Sequence, residues 1–248
     1  MSRPEFVLFG DSLTQQSFES GGWGAALADA YSRRVDVINR GFSGYNSRWA
    51  EPLLARALQH RETAPIFLSI WLGANDAALP DRLAAFQHIP VDEYQTILQQ
   101  MVKDARAGGA KSILLITPPP VDDAARVTYN QQAEGLSEAS SQPERTNAST
   151  EQYAAACKAA GKAAGTPVLD MFSKFPDGSH DWKERYFTDG LHFTPAGQQR
   201  VYLLLVECMA KHFPELRAAS LAMDYPDFMQ VEAADPFKSI LGASAFKL

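Results

Sequence analysis

The chain has 248 residues, of which 46% are hydrophobic and 21% are charged, so it can bury a substantial core and does not have the composition of a disordered or fibrous protein. Its formal net charge of -6 and the absence of a long lysine/arginine run argue against a nucleic acid or an anionic membrane surface as the main partner. One α/β domain that acts on a small substrate fits these properties.

The beginning of the chain, MSRPEFVLF, leads directly into a strand-like run without the features of a signal peptide. No apolar stretch reaches the roughly 20 residues that a membrane helix needs. We therefore expect a cytoplasmic location and no integral membrane segment. The two cysteines, Cys157 and Cys208, are far apart and show no zinc-binding spacing, which predicts buried free thiols.

Five short runs rich in Val, Ile, Leu and Phe predict strands. They are Glu5–Phe9, Val35–Asn39, Pro65–Leu72, Lys111–Thr117 and Pro167–Asp170. The third and fourth are almost continuously apolar, which is typical of strands covered by helices on both faces of a parallel sheet.

Helical patterns alternate with these strands. Apolar residues at three-and-four spacing predict a helix over Asp92–Ala107, and Thr194 followed by Pro195 is typical of a helix start. Weaker patterns predict helices over Trp23–Tyr31, Arg48–Gln59 and Thr150–Ala164. Alternating strands and helices indicate a doubly wound sheet, in which ligands bind at the carboxyl ends of the strands.

Two segments stand outside this pattern. Ala124–Thr150 is polar and poor in large apolar residues, so we expect a surface excursion that acts as a partly mobile lid. The residues after Phe213 contain prolines and scattered aromatics, which predicts a domain over 1–213 and an extended tail over 214–248. We expect this tail to pack on the domain or on a partner subunit, and the second arrangement gives a homodimer.

Four loops at predicted strand ends or helix starts contain the residues needed for acyl transfer. Ser12 can act as a nucleophile if a base removes its proton, and His192 can be that base. Asp189, three residues earlier, can hold one tautomer of the histidine. The N–H groups of Ser12 and Gly44 and the side-chain amide of Asn75 can stabilise an oxyanion.

Each of these residues also has an ordinary structural explanation. Glycine, aspartate and serine favour turns, Asn75 can tie down a loop, and Asp189 can be an acid at a helix start. Taken singly, the structural explanation is favoured in every case. Their joint occurrence in order, each at a strand end or helix start, favours a catalytic site.

These residues carry a resemblance to a known family. The blocks GDSL, the glycine in NRGFSGYNSR, GAND and DGLHFTPAG match, in order, those of the GDSL or SGNH hydrolases over about four fifths of the chain. The resemblance implies a flavodoxin-like three-layer α/β/α fold with a central five-stranded parallel sheet, Ser12 as nucleophile, and Gly44 and Asn75 in the oxyanion hole. It also implies His192 as a base paired with Asp189.

The substrate and the reaction are less closely defined. RGFSGYNSR, GANDA and ITPPP resemble the isoamyl acetate-hydrolysing esterase branch, which implies short-chain esters, including acetates of small alcohols, as substrates. A serine esterase of this kind is expected to need no cofactor or metal. Acyltransferase, thioesterase and lysophospholipase-type activities would use the same triad. Phe42, Tyr45 and Trp71 are candidates for an apolar substrate pocket, and core packing is the alternative explanation for each.

Two other classes of function stay open. Asp11, Asp76, Asp189 and His192 could together bind a divalent metal that activates water. That arrangement would leave Ser12 and its partners without a role. A non-catalytic binding protein could keep the fold, although the presence of all five proposed catalytic and oxyanion residues argues against it.

Overall fold

Five parallel strands form the central sheet of the protein. The computed structural model describes residues 3–59, 63–134 and 142–241. The strands are β1 (Glu5–Gly10), β2 (Asp36–Gly41), β3 (Phe67–Trp71), β4 (Ser112–Ile116) and β5 (Val168–Leu169). They lie in the order β2-β1-β3-β4-β5, and every neighbouring pair is parallel. The five strand predictions are confirmed, with ends that differ by at most two residues.

The inner strands are apolar because both of their faces are covered. Every residue of β3 and β4 is buried. In β1, Phe6 and Leu8 pack into one hydrophobic cluster while Val7 and Phe9 pack into another. This alternation follows from strand geometry, in which successive side chains point to opposite faces.

Helices connect the strands. They are α1 (Ser12–Gln15), α2 (Trp23–Ala30), α3 (Ser47–Gln59), α4 (Val91–Ala107), α5 (Asp123–Glu134), α6 (Asn147–Ala164), α7 (Met171–Lys174), α8 (Trp182–Tyr186), α9 (Pro195–His212) and α10 (Pro236–Leu241). All the predicted helices are present. The α6 helix starts earlier than predicted because the Thr146 hydroxyl caps it, accepting from Ser149 N at 3.1 Å.

The two hydrophobic clusters place helices on both sides of the sheet. One cluster includes Trp23 of α2 and Leu205 of α9. The other includes Leu54 of α3, Tyr94 of α4 and Cys157 of α6. The predicted three-layer α/β/α arrangement is therefore confirmed.

The polar segment Ala124–Thr150 differs from its prediction. It contains most of α5 and the start of α6, and Arg126, Glu144 and Arg145 in it are buried. The expectation of a surface excursion is wrong for these residues, since charged side chains can be buried when they pair with one another. Residues 135–141, where a lid was also expected, lie outside the described residues.

The tail after α9 contacts the opposite end of the sheet from Ser12. Its Asp224 carboxylate lies 2.6 Å from Arg3 Nη2 and 3.6 Å from Arg33 Nε, and Arg34 donates to Leu221 O at 2.7 Å. These arginines precede β1 and β2, so the contacts lie at the amino-terminal ends of the strands. No described hydrogen bond or ion pair of the tail reaches the loops at the carboxyl ends of the strands.

Two further expectations concern the cysteines and the membrane. Cys157 and Cys208 are free and buried, as predicted. Within residues 3–59, 63–134 and 142–241, no helix is both long and apolar enough to cross a bilayer.

Candidate active site

The strand order creates a crevice at the carboxyl ends of β1, β2 and β3. The chain leaves β1 towards one side of the sheet to form β2 and returns on the other side to form β3. Such a switch in direction separates the loops and leaves room for a ligand. Two backbone hydrogen bonds hold the loops together: Phe42 N donates to Gly10 O at 2.8 Å, and Asp11 N donates to Trp71 O at 3.3 Å.

The first of these loops presents Ser12. Asp11 caps α1, with Oδ1 accepting from Leu13 N at 2.9 Å, and Ser12 is the first residue of the helix. Gly10 is required here because a Cβ atom would collide with the Thr14 hydroxyl and the Trp71 carbonyl. The N–H of Ser12 lies in the first turn of α1, where helix geometry provides no acceptor.

Ser12, His192 and Asp189 form a continuous hydrogen-bonded chain. Ser12 Oγ lies 3.0 Å from His192 Nε2, and His192 Nδ1 lies 2.7 Å from Asp189 Oδ2. An ionised carboxylate can only accept, so Nδ1 carries the proton and Nε2 accepts from the serine hydroxyl. This arrangement can take a proton from Ser12 as its oxygen attacks an electrophile.

The Asp189 carboxylate is fixed on both oxygens. Its Oδ1 accepts from Leu191 N at 2.9 Å and from His192 N at 2.8 Å. Burial alone would raise the pKa of Asp189, but the hydrogen bonds and charge of His192, with the charge of Arg126, hold it well below its usual range. Asp189 is therefore ionised at neutral pH, as a partner for an imidazolium must be.

Gly44 and Asn75 lie beside each other on the next two loops. Gly44 has a φ of +80°, a left-handed conformation that favours glycine. Asn75 Nδ2 donates to Tyr45 O at 2.9 Å, which places the amide next to the Gly44 turn. Among the described residues, no acceptor takes the Gly44 N–H. One N–H of Asn75 stays available, since the amide has two and Tyr45 O takes one.

Comparison with known proteins identifies the family of this chain. The model of the GDSL-like lipase/acylhydrolase family matches residues 8–200. The chain belongs to this family. Its relatives include a GDSL esterase/lipase of Arabidopsis thaliana, 41% identical, with 96% of this chain and 97% of the relative covered.

A human relative named isoamyl acetate-hydrolyzing esterase 1 homolog is 38% identical, with 96% of this chain and 92% of the relative covered. A lipase/acylhydrolase from Enterococcus faecalis has a solved structure that superposes with a TM-score of 0.64 at 25% identity, covering 89% of this chain and 98% of the other. An acetylxylan esterase mutant from Geobacillus stearothermophilus gives 0.61 at 19% identity, covering 84% and 94%, and shares the fold. This GDSL family member is a carboxylic ester hydrolase.

Two buried aspartates belong to the GDSL and GAND blocks. Burial raises the pKa of Asp11 to about 7; the Leu13 hydrogen bond opposes this shift, and the charge of Asp76 adds to it. Burial raises the pKa of Asp76 to about 6, against hydrogen bonds from Ser47 N and Oγ to its Oδ1. Both side chains therefore brace loops, and no described hydrogen bond joins them to Ser12 or His192.

These contacts bear on the metal alternative. The four candidate ligands are engaged in separate hydrogen bonds: Asp189 with His192, Asp11 with the first turn of α1, and Asp76 with Ser47. In the described parts of the chain, no group of three or more His, Cys, Asp or Glu side chains is arranged to hold a metal ion.

The three predicted substrate-contact residues occupy different positions. Tyr45 is 37% exposed beside the Gly44 turn, and Phe42 is half-buried next to it, with ring centroids 5.5 Å apart. Trp71 is only 1% exposed, stacks on Phe193 and donates its indole N–H to Thr117 O at 3.0 Å. The core-packing explanation therefore applies to Trp71.

Two further aromatic residues, Trp49 and Phe86, extend the surface. Trp49 packs on Tyr45 with centroids 5.9 Å apart, and Phe86, which is 71% exposed, stacks on Trp49 at 6.4 Å. We call Phe42, Tyr45, Trp49 and Phe86 the aromatic strip. Trp49 is close to Gly44 in sequence, whereas Phe86 is distant and belongs to no motif.

Sequence reasoning also missed three charged residues. Arg126, Glu144 and Arg145 are buried and lie between Asp189 and Asn75, the two sides of the site. Their only sequence signal is a polar segment, which predicts exposure.

Proposed function

We propose that the protein hydrolyses short-chain carboxylic esters through an acyl-enzyme on Ser12. The observation that carries this proposal is the hydrogen-bonded chain from Ser12 Oγ through His192 to Asp189, at 3.0 Å and 2.7 Å. This is the arrangement of nucleophile, base and orienting carboxylate that serine acyl transfer requires.

The reaction proceeds in two halves. Ser12 Oγ forms a bond to the ester carbonyl carbon while its proton passes to His192 Nε2. The tetrahedral intermediate collapses, the bond from carbon to the alcohol oxygen breaks, and His192 gives its proton to the departing alcohol. Water then attacks the acyl-enzyme with His192 again as the base, and Ser12 recovers its proton as the acid leaves.

In both halves of the reaction, negative charge develops on the carbonyl oxygen and has to be stabilised. The N–H groups of Ser12 and Gly44 and the remaining N–H of Asn75 are the donors we assign to it. Donors held in place before the reaction stabilise this charge without reorganisation, so they lower the barrier rather than merely bind the ester.

The size of the substrate is inferred from the relatives and from the aromatic strip. Relatives at 37–38% identity are named isoamyl acetate-hydrolyzing esterase 1 homologs. An isoamyl group is small and apolar, and the exposed rings of Tyr45, Trp49 and Phe86 would contact a group of that kind. We assign the strip to the alcohol part of the ester.

The experiment that tests the nucleophile uses a fluorophosphonate probe with intact-mass analysis and peptide mapping. We expect one label per chain on the peptide that contains Ser12. In Ser12→Ala both labelling and hydrolysis should disappear, whereas Ser20→Ala, which alters an exposed serine nearby, should keep both. Labelling that persists in Ser12→Ala would overturn the proposal.

A second experiment tests the substrate class. A series of p-nitrophenyl esters of increasing acyl length should show kcat/KM falling beyond a short acyl chain, and isoamyl acetate should be hydrolysed. A rise with acyl length, or a preference for thioesters, would replace the short-chain assignment and leave the role of Ser12 intact. Product analysis with an added alcohol separates hydrolysis from acyl transfer.

Three expectations about partners and location remain predictions. They are a cytoplasmic location, the absence of a nucleic-acid partner and a homodimer formed through the tail. The exposed tail residues Phe228, Met229 and Phe237 are consistent with the last of these, because large apolar side chains in one exposed region often mark an interface.

A further inference from the structure

Three buried charged side chains, Arg126, Glu144 and Arg145, form a network that we call the buried ion network. Each is at most 4% exposed. Arg126 Nε donates to Glu144 Oε1 at 2.8 Å, and Arg145 Nε lies 3.2 Å from the same oxygen, out of line for a hydrogen bond. Burying two arginines against one carboxylate is unfavourable unless the charges find further partners. The other contacts of the two arginines therefore indicate which groups the network holds in place.

Arg126 reaches the Asp189 side of the active site. Its Nη1 lies 3.0 Å from Asp189 Oδ2 and donates to Asp189 O at 3.3 Å. Oδ2 is the oxygen that bonds to His192 Nδ1. Arg126 therefore restrains both the backbone and the carboxylate of Asp189.

Arg145 reaches the oxyanion side. Its Nη1 donates to Ala74 O at 2.9 Å and to Asn75 Oδ1 at 3.3 Å. Its Nη2 donates to Gln87 Oε1 at 3.0 Å, and Gln87 Nε2 donates to Gly44 O at 2.9 Å. Arg145 thus contacts Asn75 directly and the Gly44 turn through Gln87.

These contacts fix the orientation of the Asn75 side-chain amide. A guanidinium group can only donate, so the amide end that it contacts must be the oxygen. A carbonyl can only accept, so Tyr45 O must face the nitrogen. A flipped amide would place nitrogen against Arg145 and oxygen against Tyr45 O, and both contacts would be repulsive.

We propose that Arg145 is a positioning residue of the oxyanion hole, and that Arg126, joined to it through Glu144, positions Asp189 for His192. The network thereby connects the two sides of the site through one buried carboxylate. This inference rests on the proposed function, in which Asn75 donates to the oxyanion and Asp189 orients the base.

The test compares Arg145→Met, which keeps an unbranched side chain and removes the donors, with Arg200→Met, whose described hydrogen bonds go to Lys174 O and Phe175 O. Fluorophosphonate titration counts the competent sites of each preparation. We expect Arg145→Met to lower kcat per competent site about 10- to 100-fold, less than loss of the oxyanion donor itself. KM should change little, and Arg200→Met should keep the wild-type kcat.

A double-mutant cycle distinguishes positioning from general damage. In an Asn75→Ala background the direct side-chain target of Arg145 is gone and its link to the Gly44 turn through Gln87 remains, so Arg145→Met should cause a clearly smaller loss in kcat than it does in the wild type. Equal losses in both backgrounds would overturn the inference. If Arg145→Met does not fold, Gln87→Met removes the half-buried link to Gly44 and should lower kcat about 3- to 10-fold; an unchanged kcat would then contradict the proposal.

A readout independent of turnover separates this inference from the proposed function. The side-chain amide resonance of Asn75, assigned by its loss in Asn75→Ala, should shift and broaden in Arg145→Met as the amide becomes free to flip. If the resonance shifts and broadens in Arg145→Met but the wild type hydrolyses no ester, the proposed function is refuted while the positioning of Asn75 by Arg145 is supported. If the wild type is active but neither kcat nor the resonance changes, the positioning role is refuted.

Discussion

Ser12 Oγ and His192 Nε2 lie 3.0 Å apart although 180 positions separate them in the chain. The contact exists because Ser12 starts the helix after β1, while His192 precedes α9, which packs on one face of the same sheet. The other nitrogen of this imidazole is hydrogen-bonded to a carboxylate. The imidazole can therefore accept the Ser12 proton as the hydroxyl oxygen attacks a substrate.

Replacing Asp189 by asparagine should lower kcat about 10²- to 10⁴-fold, because an amide can donate to Nδ1 and so favours the wrong tautomer of His192. The measurement is kcat with p-nitrophenyl acetate. Asp170→Asn is the matched control, since Asp170 caps α7 and pairs with Lys158 at 2.9 Å. A near-normal rate in Asp189→Asn would remove Asp189 from the triad.

Replacing Asn75 by alanine should lower kcat by about 10²- to 10³-fold with a smaller change in KM, because the lost hydrogen bond strengthens as charge develops on the oxyanion. Steady-state kinetics on a short p-nitrophenyl ester measure this, with circular dichroism to check the fold. If KM rises while kcat is unchanged, Asn75 binds the ester but does not stabilise the transition state.

Asp11→Asn should change how stability depends on pH. The folded Asp11 keeps its proton up to a pKa of about 7, whereas the unfolded chain releases it near 3.8. Between these values the folded state binds more protons, so the wild-type free energy of unfolding contains a contribution that falls as pH rises and levels off above about 7.

The asparagine keeps an oxygen for the Leu13 N–H and lacks this titration. The stability of Asp11→Asn relative to the wild type should therefore increase from about pH 4 to about pH 7. Urea unfolding of both proteins across this range measures the difference. A constant difference would show that the Asp11 carboxyl group has an ordinary pKa in the folded protein.

Phe86→Ala should raise KM for isoamyl acetate about 3- to 10-fold, because it removes an exposed ring from the aromatic strip. Turnover of p-nitrophenyl acetate at saturation should stay close to that of the wild type. Phe237→Ala removes an equally exposed ring from the tail and serves as control. Equal KM values in all three proteins would exclude the strip as the alcohol-binding surface.

Introducing charge into the tail tests the homodimer. Light scattering coupled to size exclusion should give a dimer for the wild type and a monomer for Phe228→Asp/Met229→Asp, because burying two new carboxylates at an interface is unfavourable. Met223→Asp/Tyr225→Asp is the comparison variant, because it changes exposed side chains that lie nearer the Asp224 ion pairs. A monomeric wild type would contradict the prediction.

The sequence predicted the parts of the molecule that depend on local signals. Apolar runs located the five strands, and Thr194 with Pro195 located the start of α9. The structure also brings residues of the four motif blocks together: Ser12 contacts His192, and Asn75 contacts the Gly44 turn, because parallel strands bring their carboxyl ends to one edge.

What the sequence could not predict depends on pairing in three dimensions. The hydropathy of the segment that contains Arg126, Glu144 and Arg145 predicts an exposed surface. Hydropathy contains no information about the buried ion pairs that these side chains form with one another. Trp71 lies next to a motif yet faces the core, while Phe86 lies far from Gly44 in sequence and joins the aromatic strip. Which face of a loop an aromatic occupies is decided by tertiary packing.

The most direct test of the central claim is rapid-quench mass spectrometry of the enzyme mixed with excess p-nitrophenyl acetate. We predict that the intact mass rises by one acetyl group before the steady state, and that peptide mapping places it on Ser12. The gain should be absent in Ser12→Ala and in the heat-denatured protein. Steady hydrolysis by Ser12→Ala with no acetylated enzyme at any time would contradict the account.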